Sequence, residues 1–291
     1  MKLTKFAIIG TGVVGTALAV LLEKAGLNCI GVNTRSQKSY QRFCRYLPRE
    51  FLTLEEISGK AELVFITTQD DVIAKVSKKL SECSSRKSEQ FWIHCSGSLP
   101  SSIMEHGKAL EVGYLSIHPL QAFASIDRAI NSMAGVHFGI EGNNQVSVEL
   151  AEKLVKLLKG IPHEIDPTQK SLYHAGAVVA SNYLVSLTAL SVDLLREAGM
   201  EKEDALRSLL PLMDGAYRNI LSVGLAEALT GPIARGDVEV VARHLQEIPT
   251  KYLEIYKGLG RIALELGRQK RNQQGTDYED EVWQELKKHL S

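Results

Sequence analysis

The chain has 291 residues, of which 44% are hydrophobic, 23% charged and 6% aromatic. That balance fits about two folded domains of ~150 residues and argues against a disordered chain. Lys plus Arg and Asp plus Glu both number 34, so the formal net charge is zero, which argues against a broadly basic nucleic-acid binder.

Lys2 and Lys5 precede an apolar run from Phe6 to Leu22, the outline of a secretory signal. Gly10, Gly12 and Gly15 interrupt that run and give it another reading: a strand over 6–9, a tight turn, and a helix over 13–24. Strand-like runs follow at 28–32, 62–66, 91–94, 114–118, 136–140 and 163–165. Helical patterns lie at 36–46, 72–80 and 146–158, and 83–89 is polar and loop-like. This alternation predicts parallel βαβ units with right-handed crossovers. From Gln169 onward the pattern is helical nearly to the end, with breaks near Gly199, Thr230–Pro232, Pro249 and Gly275. The expected fold is an α/β Rossmann domain over 1–167 followed by an all-α domain over 168–291. Residues 171–192 contain no Asp, Glu, Lys or Arg and approach the length of a membrane span. Tyr173, His174, Asn182 and several hydroxyls make a helix buried in a protein or dimer core the better reading, so no membrane is expected.

Gly10-Thr11-Gly12-Val13-Val14-Gly15 is a G-x-G-x-x-G motif between a predicted strand and helix. The first glycine permits the turn, the second lets backbone approach a pyrophosphate, and the third allows close helix–strand packing. The helix N-terminus adds free N–H groups and a partial positive charge. At the end of the second strand an NAD site places a carboxylate for the ribose 2′-OH. Here the residues are Asn33-Thr34-Arg35-Ser36. Arg35 can meet a 2′-phosphate and Ser36 can add a hydroxyl, which selects NADP. Thr67, Thr68 and Gln69 end the third strand and can line the nicotinamide ribose, while Asp70 or Asp71 reads as a cap for the next helix.

His94-Cys95-Ser96-Gly97-Ser98 and His118-Pro119-Leu120-Gln121 end the fourth and fifth strands, at the mouth where a nicotinamide sits. Cys95, Ser96 and Gly97 are expected beside the cofactor, and Ser96 and His118 beside a substrate. No G-x-S-x-G elbow surrounds Ser96, so a hydrolase nucleophile is not expected. Ser98-Leu99-Pro100 reads as a helix start. On a helical wheel Lys170, His174 and Ser181 lie within about 40° of one another, with Asn182 about 80° from His174. Hydride delivery to a carbonyl puts negative charge on oxygen; Lys170 can protonate it and Asn182 can stabilise it. Asp237 reads as an N-cap, and Arg235, on the tight turn before it, can clamp a carboxylate. Cys29, Cys44, Cys83 and Cys95 form no C-x-x-C pair, and there is no H-E-x-x-H. Neither a disulfide scaffold nor a metal is expected, and a reducing cytoplasm is the simplest setting.

The order G-T-G-V-V-G, H-C-S-G-S, S-I-H-P-L-Q-A-F, Y-H-A-G-A-V-V-A-S-N-Y and A-L-T-G-P-I-A-R-G-D spans most of the chain. It resembles bacterial Rossmann-like oxidoreductases whose C-terminal half is a domain of unknown function. These look like a branch of the β-hydroxyacid dehydrogenase superfamily, with 6-phosphogluconate dehydrogenase, pyrroline-5-carboxylate reductase, prephenate dehydrogenase and ketopantoate reductase as relatives. The resemblance implies a helical C-terminal domain of the 6-phosphogluconate dehydrogenase type, homodimerisation through it, and an active site in the interdomain cleft. It also implies reduction of a small carboxylate-bearing carbonyl, with ketopantoate as one candidate and a cyclic imine as another. A non-catalytic NADP(H)-binding sensor is a reading from a different class. Relatives carry K-x-x-x-N, whereas the fourth residue after Lys170 is His174; either His174 takes the place of the Asn or Asn182 reaches in.

Overall fold

The computed structural model describes residues 4–87, 89–106 and 112–291. Lys2, counted above in the signal-like pattern, and Ser88, in the loop after the third helix pattern, lie outside them. The first half runs β1 (Lys5–Ile9), α1 (Val13–Lys24), β2 (Asn28–Asn33), α2 (Gln37–Cys44), α3 (Leu54–Lys60), β3 (Leu63–Ile66), α4 (Asp70–Ser81) and β4 (Gln90–His94). It continues with β5 (Val112–Pro119), α5 (Ile126–Asn131), β6 (His137–Gly142), α6 (Gln145–Leu157) and β7 (Ile161–Glu164). Then come α7 (Lys170–Glu197), α8 (Lys202–Ala228), α9 (Pro232–Arg235), α10 (Val238–Glu247), α11 (Thr250–Gln273) and α12 (Asp280–Leu290). The apolar periods at 28–32, 72–80 and 146–158 thus mark real elements, with ends displaced by a residue or two. The Ser98–Pro100 start yields only a 3-10 turn, Ser101–Met104.

The seven strands form one sheet in the order β2-β1-β3-β4-β5-β6-β7. The first five are parallel, but β6 runs antiparallel to β5. This departs from the all-parallel expectation for a geometric reason. The six-residue α5 rises only about 9 Å, too short to carry the chain back along the eight residues of β5, about 26 Å. One face of the sheet is covered by α1 and α6, whose Leu18, Leu22, Leu154 and Val155 pack on Phe6, Ile8, Phe138 and Ile140. The other face is covered by α3 and α4, with Ile57, Ile73 and Leu80 on Val64, Ile66 and Trp92. Trp92 is fully buried and donates its indole N–H to Gln90 at 2.7 Å.

The second face turns polar toward the ends of β4, β5 and β6. Strand alternation puts His94, Ser116 and Glu141 in one cross-strand row and His118 and Gly139 in the next.

Two compact units emerge from contact density, Met1–Asn182 and Tyr183–Ser291. The division falls inside α7, later than the Pro167 boundary expected from the sequence, because Lys170 and Tyr173 bond to sheet residues. In the second unit α9–α12 enclose a small core of Val241, Leu264, Tyr278, Leu286 and Leu290. Helix α8 carries Pro211 inside it and a backbone kink at Gly224, where φ is 79°. The segment Pro167–Glu197 is the one helix among the described residues long and apolar enough, by length and composition, to cross a membrane. It is not buried in the core of the chain: Leu172, Val179, Tyr183, Leu184 and Val185 are exposed.

Candidate active site

In a sheet of this order ligands sit at the carboxyl ends of the strands where the connections change direction, here β1 and β3. The glycine turn occupies that place. Gly10 has φ +102°, and a Cβ there would come within 2.8 Å of the Thr67 backbone. At Gly15 a Cβ would collide with the Gly10 carbonyl and the Thr67 hydroxyl. Thr67 Oγ1 donates to the Gly10 carbonyl at 2.6 Å and ties the two strand ends together. Gly12 faces open space, with nothing within 4 Å of a Cβ, and it caps α1 without a side-chain hydrogen bond. The first-turn amides of Val13 and Val14 therefore have no side-chain cap, and the Thr11 hydroxyl is buried without a partner. These are donors and open volume suited to a pyrophosphate, so the residues present fit a dinucleotide.

At the end of β2, Asn33 donates its side-chain amide to the Leu52 carbonyl at 2.7 Å, which holds the strand end. Ser36 caps α2, accepting from the Ser39 amide at 3.2 Å. Arg35 is exposed and has no hydrogen-bond or ionic partner among the described residues. Arg42, which the sequence reading passed over, donates Nη2 to the Thr11 carbonyl at 3.0 Å and places a second guanidinium beside the glycine turn. Thr68 turns its hydroxyl back to the Gln69 carbonyl, and Gln69 begins α4 without a side-chain cap.

The sequence reads Asp70 or Asp71 as a cap for α4, but Gln69 holds the N-cap position and no side chain caps the helix; Asp70 is engaged elsewhere. Its Oδ2 accepts the hydroxyls of Ser96 at 2.7 Å and Ser98 at 3.0 Å, which joins the ends of β3 and β4. Ser96 Oγ in turn accepts the Ser98 and Leu99 amides. The Cys95 thiol is pushed up to about 12 by burial, against the Lys170 charge, and stays protonated. His94 is fully buried; its Nδ1 accepts the Ser96 amide at 3.1 Å and its Nε2 has no hydrogen-bond partner. Burial, helped by the Lys170 charge, pushes its pKa down to about 3; the Pro100 carbonyl opposes this without reaching hydrogen-bond geometry.

Lys170 occupies the interior, only 2% exposed. Its ammonium donates to Ser116 Oγ at 2.5 Å and to the Ser96 carbonyl at 3.1 Å, and Glu141 Oε1 lies 3.8 Å away. Glu141 also takes the Ser101 amide and hydroxyl, at 2.5 and 2.8 Å. Burial lowers the Lys170 pKa to about 8, with Glu141 opposing, and burial raises that of Glu141. Four hydrogen bonds from and to charged oxygens and nitrogen favour the ionised pair. The side chain ties the turn after β4 to Ser116 on β5 and to Glu141 on β6.

His118 and His174 meet over Gly97. A Cβ at Gly97 would lie 2.8 Å from His118 Nε2 and 2.5 Å from His174 Nδ1, so only glycine lets the backbone pass beneath both rings. The rings are 5.6 Å apart and edge-on, and His174 Nδ1 is buried with no partner. Tyr173 stands behind His118, its hydroxyl 3.0 Å from Nδ1 and 3.1 Å from the Gly139 amide. Burial, with the His174 and Lys170 charges, pushes His118 down to about 4. Lys170, Tyr173 and His174 share one face of α7 at i, i+3 and i+4. Tyr173, Ser116 and Glu141 were not singled out from the sequence. The alternation Ser116-Ile117-His118 and Gly139-Ile140-Glu141 was the available signal, but it needs the β5–β6 register to be read.

Asn182 is exposed at the end of the first unit. Arg235 belongs to the second unit, exposed, with its Nε 2.9 Å and Nη2 2.7 Å from Asp237 Oδ2. Asp237 spends its carboxylate on that pair and not on capping α10.

Residues 2–119 match the family described as Rossmann-like domain, and residues 136–262 match a domain of unknown function, DUF2520. No curated protein matches the chain. A protein from Thermotoga maritima aligns with a TM-score of 0.72 and 24% identity, over 91% of this chain and 99% of that one. A candidate NADP oxidoreductase from Bacteroides fragilis aligns at 0.68 and 24%, over 92% and 97%. The pyrroline-5-carboxylate reductase of Coxiella burnetii aligns at 0.58 and 16%, over 99% of both. At these identities the likeness establishes the fold. The chain thus carries an N-terminal Rossmann-like domain over 2–119, followed by a largely helical region whose residues 136–262 match DUF2520.

Proposed function

We propose that the chain is an NADP(H)-dependent oxidoreductase that reduces a small carbonyl compound bearing a carboxylate, with ketopantoate the first substrate to test. One observation carries this reading: an uncapped glycine turn beside Arg35, which has no partner among the described residues, and no carboxylate over residues 33–36. A 2′-phosphate meets a guanidinium there and no repelling charge. Bound NADPH supplies the hydride. The chain's own residues form the mouth from the His118 and His174 rings over Gly97, with Ser96 and Ser98 held by Asp70. His118 hydrogen-bonds the substrate, and Lys170 with Glu141 keeps the turn after β4 in place. The names of the Bacteroides and Coxiella proteins favour the same reaction class.

A cyclic imine is the second reading, and the enclosure of Lys170 favours it. A protonated imine brings its own positive charge and needs no cationic donor, whereas a carbonyl relies on neutral donors alone. The test is NADPH fluorescence and absorbance in one cuvette, with ketopantoate and then with pyrroline-5-carboxylate. Fluorescence change with substrate-dependent loss of absorbance supports the reductase. Binding without consumption across carbonyls and imines replaces it with a sensor, and no binding removes the cofactor reading.

We propose further that two copies associate through α7 and α8. Leu184, Val185, Leu212, Tyr217, Leu221 and Leu225 are exposed on these helices, more apolar surface than a monomer normally leaves in water. A second copy suits this surface better than lipid, because Lys170 and Tyr173 fasten the start of α7 to sheet residues. Sedimentation of the parent and of Leu221→Glu tests it; a monomeric parent removes the proposal.

A further inference from the structure

Three distances fix the hydrogen-bonding options of Tyr173. Its Oη lies 3.1 Å from the Gly139 amide nitrogen, 3.0 Å from His118 Nδ1 and 3.4 Å from the His118 carbonyl. The amide can only donate, so it takes an oxygen lone pair and leaves the phenolic hydrogen for one of the other two. The imidazole nitrogen is the nearer, and 3.4 Å is long for an O–H···O bond. A hydroxyl that donates to Nδ1 requires that nitrogen to be bare, and a neutral imidazole then carries its single proton on Nε2.

We propose that Tyr173 is a positioning residue that holds His118 in the Nε2–H form, so that the site presents a neutral N–H donor beside Gly97 to the oxygen or carboxylate of the substrate. The identity of that acceptor rests on the reductase reading; the tautomer does not. Nε2 has no hydrogen-bond partner among the described residues and faces the same point over Gly97 as the unpartnered Nδ1 of His174. The Tyr173 ring is itself fixed: it meets His118 edge-on at 5.5 Å, and its hydroxyl fills the place of a Gly139 side chain. Gly139 is thereby explained, since a Cβ would sit 2.5 Å from Tyr173 Oη. Burial supports the arrangement from both sides, pushing Tyr173 up to about 12 and His118 down to about 4. Near neutral pH the phenol keeps its proton and the imidazole gains none. The donor is therefore uncharged, strong enough to polarise a carbonyl and too weak to trap a carboxylate product as a buried cation would. An imidazole used this way needs its second nitrogen committed, and Tyr173 with Gly139 provides that commitment.

The direct test is long-range ¹H–¹⁵N correlation of histidine side chains in protein labelled at histidine, with His118 assigned by its loss in His118→Gln. The expected His118 pattern near neutral pH is a protonated Nε2 and a bare Nδ1. In Tyr173→Phe, which keeps the ring but not the hydroxyl, the pattern shifts toward a mixture of tautomers. A protonated Nδ1 in the parent overturns the proposal, and so does a Tyr173→Phe spectrum identical to the parent's. If Tyr173→Phe fails to fold, the parent spectrum alone decides. The kinetic readout is a pair of isosteres: Gln at position 118 keeps an N–H near Nε2, whereas Asn keeps only the Nδ1 side. The kcat of His118→Gln is expected to exceed that of His118→Asn by about tenfold or more. Equal losses in both count against the donor role. Absence of turnover with every substrate removes the reductase reading and leaves the tautomer measurement standing.

Discussion

Replacing His94 by asparagine should remove about half of the mild-acid lability of the sheet unit. The folded chain holds His94 near pKa 3 and His118 near 4, both displaced mainly by burial. In the unfolded chain each titrates near 6.5. Below that value the unfolded state binds protons that the folded state refuses, so stability falls as pH falls, by about 1.4 kcal/mol per pH unit for each ring. From about pH 6.5 to pH 5 each histidine therefore contributes a loss of about 2 kcal/mol, and the two together about 4. That is a large part of a typical total of about 5–15 kcal/mol. Asparagine at 94 offers an oxygen to the Ser96 amide in place of Nδ1 and does not titrate. It costs about 1–3 kcal/mol near neutral pH through lost ring packing, but its decline with acid should be shallower by about one proton. Carboxylates titrate mostly below this window, and their contribution is common to parent and variant. Trp92, buried in the sheet, reports unfolding in urea once Trp283 is changed to Phe. Parallel pH dependences in parent and variant would refute the argument that the buried ring stays neutral.

Arg35→Ala is expected to weaken NADPH binding by about ten- to a hundredfold while leaving NADH nearly unaffected, measured by fluorescence titration. Gly15→Ala should abolish cofactor binding and lower the unfolding midpoint, because its Cβ would collide with the Gly10 carbonyl. Lys170→Met alone should cost about 3–5 kcal/mol by stranding Glu141, and adding Glu141→Gln should recover much of that; a double variant no better than the single would break the pairing argument. Tyr173→Phe should alter the histidine tautomer spectrum as described above, with the overall fold judged separately by circular dichroism.

The parts of the fold that local pattern controls were legible in the sequence. A glycine spacing placed between a strand and a helix has few structural solutions, and Gly10, Gly12 and Gly15 adopt the expected one. Apolar period separated the sheet from the helices, and glycine and proline marked the breaks between α7 and α12. The absence of a carboxylate over 33–36 was legible as well, since it needs only the order of residues along the chain.

Tertiary structure decided whatever depends on which strands are neighbours. No periodicity in 120–136 says that β6 returns antiparallel, yet that register sets Glu141 beside Ser116 and Gly139 beside His118. For Lys170 a helical wheel gives direction without depth, and the depth came from the fold. The sheet supplied Glu141, Ser116 and the Ser96 carbonyl, and a buried ammonium goes where oxygens surround it. Asp70 and Asp237 looked like helix caps because a cap is a local motif. Each found a stronger partner, the Ser96 and Ser98 hydroxyls in one case and the Arg235 guanidinium in the other. Local spacing determines conformation where the backbone has few choices. The partner of a polar side chain is determined by burial and by distant strands, which only the folded chain brings together.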